Sequence, residues 1–344
     1  MRWTSAFSPP SLALALQGGG AHGAFTWGVL DALLEDGRFP IAAISGTSAG
    51  AMNAIAVAQG LTVAGNDGAR AALQAFWSAV GKRVPFEMLM MTGAPDNPSL
   101  APGLRALMHW AQLFSPYQLN PLGHHPLRDV LAEQIDFERL RRESPVQLYI
   151  AATHANSGRL RLFATDELSI DVALASACLP TMHHAVVIDG EPYWDGGYSA
   201  NPALFPLVRS GVADLLIVSL SPMLYGTLPV TAEDIRGRAL EFAFNATFLR
   251  EARLIAETCA EARRSNWPFG RLERRLRRLR THLIDAHEDL GALAPESRLI
   301  AHLPFLERLR DLGRARAQRW LAECGGAVGR RSSADLAQLF GAPA

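Results

Sequence analysis

Cysteine is scarce in this sequence. Cys178, Cys259 and Cys324 are the only three, and they lie far apart. That excludes a disulfide framework and a cysteine-based metal cluster, and it fits a reducing, cytoplasmic compartment. Lysine is scarcer still: Lys82 stands alone, and every other residue in the Lys+Arg total of 33 is arginine. Asp+Glu also number 33, so no surplus of positive charge argues for a nucleic-acid partner. A long lipid-spanning run is missing too. The stretch 41–58 is apolar on average, yet it holds Ser45, Gly46, Thr47, Ser48, Gly50 and Asn53, too polar for a lipid-facing helix. Near the start, Pro9-Pro10 precede an apolar run only as long as a strand, so no export signal is expected. The expectation is a soluble protein with a hydrophobic fraction, 49%, large enough for one large domain or two ordinary ones.

What is present is a repeated pattern. Leu12 to Leu16 reads as a buried strand, Ala21 to Leu34 as a helix, Ile41 to Ile44 as a second strand and Ala49 to Ala58 as a second helix. Strand–loop–helix twice in succession points to an α/β fold with a mostly parallel sheet. Residues from about 68 to 142 form a mostly helical insertion of the kind that walls a site. Hairpins are expected around Asn156-Ser157-Gly158 and around Asp189-Gly190. Leu215 to Leu220 reads as the last strand. From 231 to about 330 the pattern is helical and arginine-rich, with breaks at Trp267-Pro268, Ala294-Pro295 and Cys324-Gly325-Gly326. The final dozen residues are expected to be loosely held.

Two loops carry the chemistry. Gly18, Gly20 and Gly23 fit G-x-G-x-x-G at a strand-to-helix turn, which suits a dinucleotide pyrophosphate or an oxyanion formed during a reaction. Gly46-x-Ser48-x-Gly50 is the G-x-S-x-G nucleophile elbow, again between a strand and a helix. A dinucleotide site wants an acidic residue at the end of the second strand. Asp36 precedes that strand in a turn, and the serine elbow stands where the acid belongs. A glycine loop beside a serine nucleophile reads as an oxyanion hole built from Gly18, Gly19 and Gly20. The base is sought at Asp195, which opens Asp195-Gly196-Gly197 after a predicted strand. Gly46, Gly50, Gly23, Gly196 and Gly197 support the elbow and the two loops.

Taken in order, Gly18-Gly19-Gly20-x-x-Gly23, Gly46-Thr47-Ser48-Ala49-Gly50 and Asp195-Gly196-Gly197 resemble the patatin-like phospholipase family. Ala175-Ser176-Ala177-Cys178-Leu179-Pro180, Asn201-Pro202 and the segment 244–251 add to the resemblance, the last resembling bacterial members with an extra C-terminal region. The resemblance covers a catalytic domain at about 10–225, ahead of a C-terminal helical region at 231–330. It implies a three-layer α/β/α fold and a Ser48–Asp195 dyad without a catalytic histidine. It also implies lipid acyl-ester hydrolysis through an acyl-enzyme, needing no metal and no cofactor. His22 departs from the Arg or Lys usual just ahead of Gly23, which makes any charge there pH-dependent unless the residue is simply structural.

Other readings stand beside this one. A Ser-His-Asp enzyme would take its histidine from His282, His287 or His302, which are expected on the surface. His124-His125 and His183-His184 lack ligand partners at metal spacing. A non-catalytic lipid- or granule-binding protein, or an esterase for storage polyesters or short chains, would keep the same fold. Arg271 to Leu283 reads as one helix with Leu272, Leu276, Leu279 and Leu283 along a stripe. On its flank Arg271, Arg274 and Arg278 offer a contact to anionic membrane or a lipid granule.

Overall fold

The computed structural model describes residues 9–83, 91–94, 97–111, 113–222, 225–226, 228–265, 270–291 and 293–340; the expected break at Trp267-Pro268 lies outside them. Strand β1 (Leu12–Leu16) leads into α1 (Gly23–Asp36), β2 (Ile41–Gly46) and α2 (Ala49–Lys82), which is two helical stretches joined at Ala64 and Gly65. The insertion supplies a small hairpin of β3 (Met91–Ala94) and β4 (Asn97–Leu100), then α3 (Pro102–Ala111), α4 (Pro116–Leu119), α5 (Pro126–Gln134) and α6 (Phe137–Glu143). Next come β5 (Gln147–His154), β6 (Leu160–Ala164), α7 (Ile170–Ser176), β7 (Val186–Ile188), β8 (Glu191–Asp195), α8 (Phe205–Ser210) and β9 (Asp214–Ser219). The chain continues as α9 (Ala232–Arg264), α10 (Arg271–Arg278), β10 (Arg280–Asp285), α11 (His287–Leu290), α12 (Leu303–Glu323) and α13 (Leu336–Phe340).

The central sheet runs β10-β9-β1-β2-β5-β8-β7, with β6 on the free edge of β5. From β10 to β5 all neighbours are parallel; β6, β7 and β8 pair antiparallel. Side-chain alternation along the strands builds two cores. Leu12, Leu14, Leu16, Leu216 and Val218 face α1, α2 and α12. Ala13, Ala15, Leu215 and Ile217 face α8, α9 and α13. The outcome is a three-layer α/β/α fold with a mostly parallel sheet and extra C-terminal helices. Both expected hairpins form, and Asp189 (φ 52°) with Gly190 (φ 83°) makes the tight turn of the second, as a two-residue hairpin loop requires.

Several expectations are corrected. Arg271 to Leu283 is not one helix: it ends at Arg278, and from Arg280 the chain is β10, parallel to β9. Leu215 to Leu220 is therefore not the last strand. His282, expected on the surface, is fully buried on β10, with Asp214 Oδ1 3.1 Å from Nε2 and Ser333 Oγ 2.8 Å from Nδ1. The tail, expected to be loose, is docked as far as it is described: Leu336 and Phe340 are buried against α9, Phe340 edge-on to Phe248. His287 is exposed and His302 half-buried.

Candidate active site

The carboxyl ends of β1 and β2 lie side by side, Leu16 opposite Gly46. The glycine loop and the serine elbow therefore open on the same edge of the sheet. Asp195 reaches this edge by a different route. β6 takes one side of β5 over residues 149–153, so β2 and β8 share the other side in succession. β2 stops with Gly46 opposite Ile150, and β8 ends with Asp195 opposite Ala152. The last residue of β8 thus arrives where the elbow begins.

Ser48 sits at φ 54°, ψ −123° ahead of α2. This is a strained backbone for a non-glycine residue, and it persists only because neighbours hold it. The Ser48 N–H donates to Ser176 Oγ at 3.0 Å, the Thr47 hydroxyl to the Ala200 carbonyl at 2.8 Å, and the Gly50 N–H to the Thr47 carbonyl at 2.8 Å. A Cβ on Gly46 would meet the Gly50 carbonyl oxygen, and one on Gly50 the Leu16 carbonyl oxygen. The elbow spacing is therefore a packing demand as well as a chemical one. Gly23 meets Ala49 in the same way, and Asn53 Nδ2 binds the Gly23 carbonyl at 2.9 Å, tying α1 to α2 beneath the site.

Asp195 is wholly buried. Its Oδ1 accepts the Gly197 N–H at 2.7 Å, while its backbone is held by the Cys178 carbonyl and the Thr153 hydroxyl, both at 2.8 Å. Oδ2 makes no hydrogen bond of ordinary geometry among the described residues. The Ser48 hydroxyl is nevertheless close enough to favour the charged carboxylate. Burial wins: the carboxyl is pushed up to about 7, against the pull of the Gly197 amide and the Ser48 hydroxyl. Gly196 packs on the Ala151 carbonyl, and Gly197 lies under the Phe244 ring of α9, which leaves no room for a side chain at either position.

The glycine loop reaches the elbow: a Cβ on Gly18 would lie 2.8 Å from Ser48 Cβ. The Gly18 N–H is already committed to Asn201 Oδ1 at 2.7 Å. No acceptor among the described residues takes the N–H of Gly19, Gly20 or Ala49. His22 is buried, with Nε2 2.7 Å from Ser297 Oγ. Burial, reinforced by nearby Arg298, lowers its pKa to about 3, so the imidazole is neutral and the position carries no charge at ordinary pH. His282, with its Asp214 and Ser333 partners, belongs to the amino ends of β9 and β10, across the sheet from Ser48. Asp36 pairs with Arg38 in the turn after α1, away from the glycine loop. No group of three or more metal-ligating side chains occurs among the described residues.

Sequence reasoning attached no role to Gln17, Asn53, Ser176 or Asn201, the buried polar residues that hold the loops. Gln17 carried one usable signal: an amide closes the apolar run LALAL where another aliphatic would have fitted.

The arginine surface lies at the opposite edge of the sheet from Ser48. α10 feeds β10 at the amino end of the sheet, where Arg280 pairs with Asp214, and Arg275 binds the Arg209 carbonyl beside the start of β9. Arg271, Arg274 and Arg278 are exposed there, a strand length of roughly 15 Å or more from the carboxyl edge that holds Ser48.

Among solved structures, VipD from Legionella pneumophila is 18% identical, with 90% of this chain and 68% of that one covered at a TM-score of 0.38. The type III effector ExoU is also 18% identical, with 90% and 53% covered at 0.31. ExoU of Pseudomonas aeruginosa in complex with SpcU gives 17% identity and a TM-score of 0.29. The chain thus spans about half the length of ExoU. No curated protein matches the sequence significantly. Residues 14–208 match the family model described as Patatin-like phospholipase; they make up more than half of the sequence, and the chain belongs to that family.

Proposed function

We propose that the protein is a serine lipid acyl hydrolase that cleaves carboxylic esters of phospholipids or related lipids on a Ser48–Asp195 dyad. The observation that carries this reading is the strained Ser48 turn meeting a buried carboxylate whose Oδ2 has no other partner. Asp195 takes the hydroxyl proton as Ser48 Oγ attacks the ester carbonyl carbon. Negative charge then gathers on the carbonyl oxygen, and the free N–H groups of Gly19 and Gly20, with Ala49 at the head of α2, are the donors available to it. Collapse of the tetrahedral intermediate breaks the C–O bond to the alcohol, which leaves with the proton from Asp195. Water, deprotonated by the same carboxylate, hydrolyses the acyl-serine. No step calls on a metal or cofactor.

A lipid source fits the rim of the site. β4 packs against the turn at 295–299 beside the glycine loop. Tyr117 stacks on His184, rings 4.0 Å apart, and accepts the Ala185 N–H at 3.1 Å on the Asp195 side. Residues 101–122, which follow β4 and carry Tyr117, expose Leu107, Trp110, Leu113, Leu119 and Leu122. No Asp or Glu occurs between Asp96 and Asp129, so this rim can enter a phosphate-bearing surface without dehydrating a carboxylate. Among the described residues no helix is long and apolar enough to cross a membrane, and contact through this rim is peripheral.

A panel of phospholipids, glycerides, storage polyesters and short-chain esters, run on wild type and Ser48→Ala, tests the assignment. Hydrolysis lost on the order of 10⁴-fold in the folded variant supports it. Lipid binding without turnover of any ester by wild type would favour the non-catalytic binding protein instead.

A further inference from the structure

The glycine loop is tethered by residues that the family-matched range does not contain. Gln17 Oε1 accepts the N–H groups of Leu220 (2.6 Å) and Ser221 (2.9 Å), and Gln17 Nε2 donates to Asn245 Oδ1 of α9 at 2.8 Å. Gly20, at φ 59°, presses on the Arg298 carbonyl so closely that a Cβ would overlap it. One turn on, His22 meets Ser297. The Ser297 hydroxyl donates to the Ala294 carbonyl at 2.6 Å, so at 2.7 Å from His22 Nε2 it must accept. That arrangement makes His22 the Nε2-protonated tautomer, with Nδ1 making no hydrogen bond among the described residues. Ser297 and Asn245 are 2% and 7% exposed, so neither is replaced by water at little cost. The Arg298 guanidinium is itself anchored on Glu241 of α9 at 2.7 Å.

We propose that Ser297 and Asn245, both beyond residue 208, are positioning residues for the oxyanion donors: Ser297 through His22 on the carboxyl side of Gly19-Gly20, Asn245 through Gln17 on the amino side. The proposal rests on the reading of Gly19 and Gly20 as those donors. Oxyanion stabilisation is geometric. Donors must lie about 2.7–3.1 Å from where the charge develops, and a misplacement of about 1 Å costs on the order of a hundredfold. Releasing one tether lets the loop relax without removing a donor, so the loss belongs to the transition state and leaves substrate binding intact.

The test compares wild type, Ser297→Ala, Asn245→Ala, Ser297→Thr and Ser48→Ala as full-length chains. The measurements are kcat and KM on a soluble ester, and inhibition by a trifluoromethyl ketone. That ketone adds Ser48 Oγ at its carbonyl carbon, so its affinity reports the oxyanion site directly. Ser297→Ala and Asn245→Ala are expected to lower kcat about 10- to 100-fold and to weaken the inhibitor by a similar factor, with KM within about twofold. Ser297→Thr keeps a hydroxyl that accepts and donates, and is expected to restore most of both. If one alanine variant fails to fold, the other still decides the question. The inference is overturned if a folded alanine variant keeps kcat and inhibitor affinity within twofold of wild type, or if the loss falls on KM alone. Activity surviving in Ser48→Ala would instead remove the catalytic reading beneath it.

Discussion

In the proposed mechanism Asp195 has to be a base at the pH of turnover, and its burial decides where that pH lies. With its pKa raised to about 7, the carboxyl is protonated and inactive under acidic conditions. A pH profile of kcat/KM is expected to fall about tenfold per unit below that value and to level off above it. His22, lowered to about 3, contributes no limb near neutrality, and an inflection abolished by His22→Gln would contradict this assignment. The same shift acts on stability with the opposite sign. The folded chain keeps the Asp195 proton to higher pH than the unfolded chain does, so stability is lost as pH rises from about 4 through about 7. Asp195→Asn is therefore expected to lose activity almost as fully as Ser48→Ala, yet to melt higher than wild type at pH 8, an advantage that shrinks toward pH 4. Equal melting temperatures at both pH values would show that the carboxyl is not destabilised by burial. The elbow, the glycine loop and Asp195 were legible because their chemistry needs contiguous residues. Asn201 and Ser297 act on the loop from 183 and 275 positions away in the chain, and local spacing holds no trace of such a partner.

At the scale of elements, the least legible part was the edge of the sheet. Leu272, Leu276, Leu279 and Leu283 keep a helical spacing, so a helix through 283 was the natural reading. What ends it is remote: β9 would otherwise be an open edge, and Arg280 to Asp285 pair along it because exposed strand edges are a liability. The new strand is fastened through Asp214, which accepts two bonds from Arg280, one from the Gly329 N–H and a contact from His282 Nε2. Those partners hold its carboxyl well below the usual carboxylate range. Asp214→Ala leaves Arg280 uncompensated and the Gly329 amide unpaired, and a loss of about 3–5 kcal/mol is expected in denaturant unfolding. The kcat of the folded fraction should survive, because this cluster is at the amino edge. A fall in kcat without a fall in stability would place His282 in the chemistry after all. Elements whose signal is local, such as the two βα units and both hairpins, needed no such distant partner and could be read directly.

The molecule as a whole presents the Ser48 edge and the arginine-rich α10 at opposite ends of its parallel strands. Vesicle sedimentation distinguishes the two as lipid contacts. Changing Trp110, Leu113 and Leu122 to Ser is expected to weaken binding to zwitterionic vesicles at least tenfold at high salt, since burying each large apolar side chain contributes about 1.5–3 kcal/mol. Hydrolysis of a soluble short-chain ester should be unchanged. Arg271, Arg274 and Arg278 changed together to Gln should leave vesicle hydrolysis near wild type; loss of binding in that variant alone would move the contact to the amino edge. All of this presumes that one serine does the chemistry. The most direct measurement is the intact mass of the protein after reaction with a fluorophosphonate, followed by peptide mapping of the adduct. A single adduct on Ser48, absent from Ser48→Ala and strongly slowed in Asp195→Asn, is the predicted result. Ester hydrolysis that persists with Ser48 unlabelled, or an adduct on another residue, would contradict it.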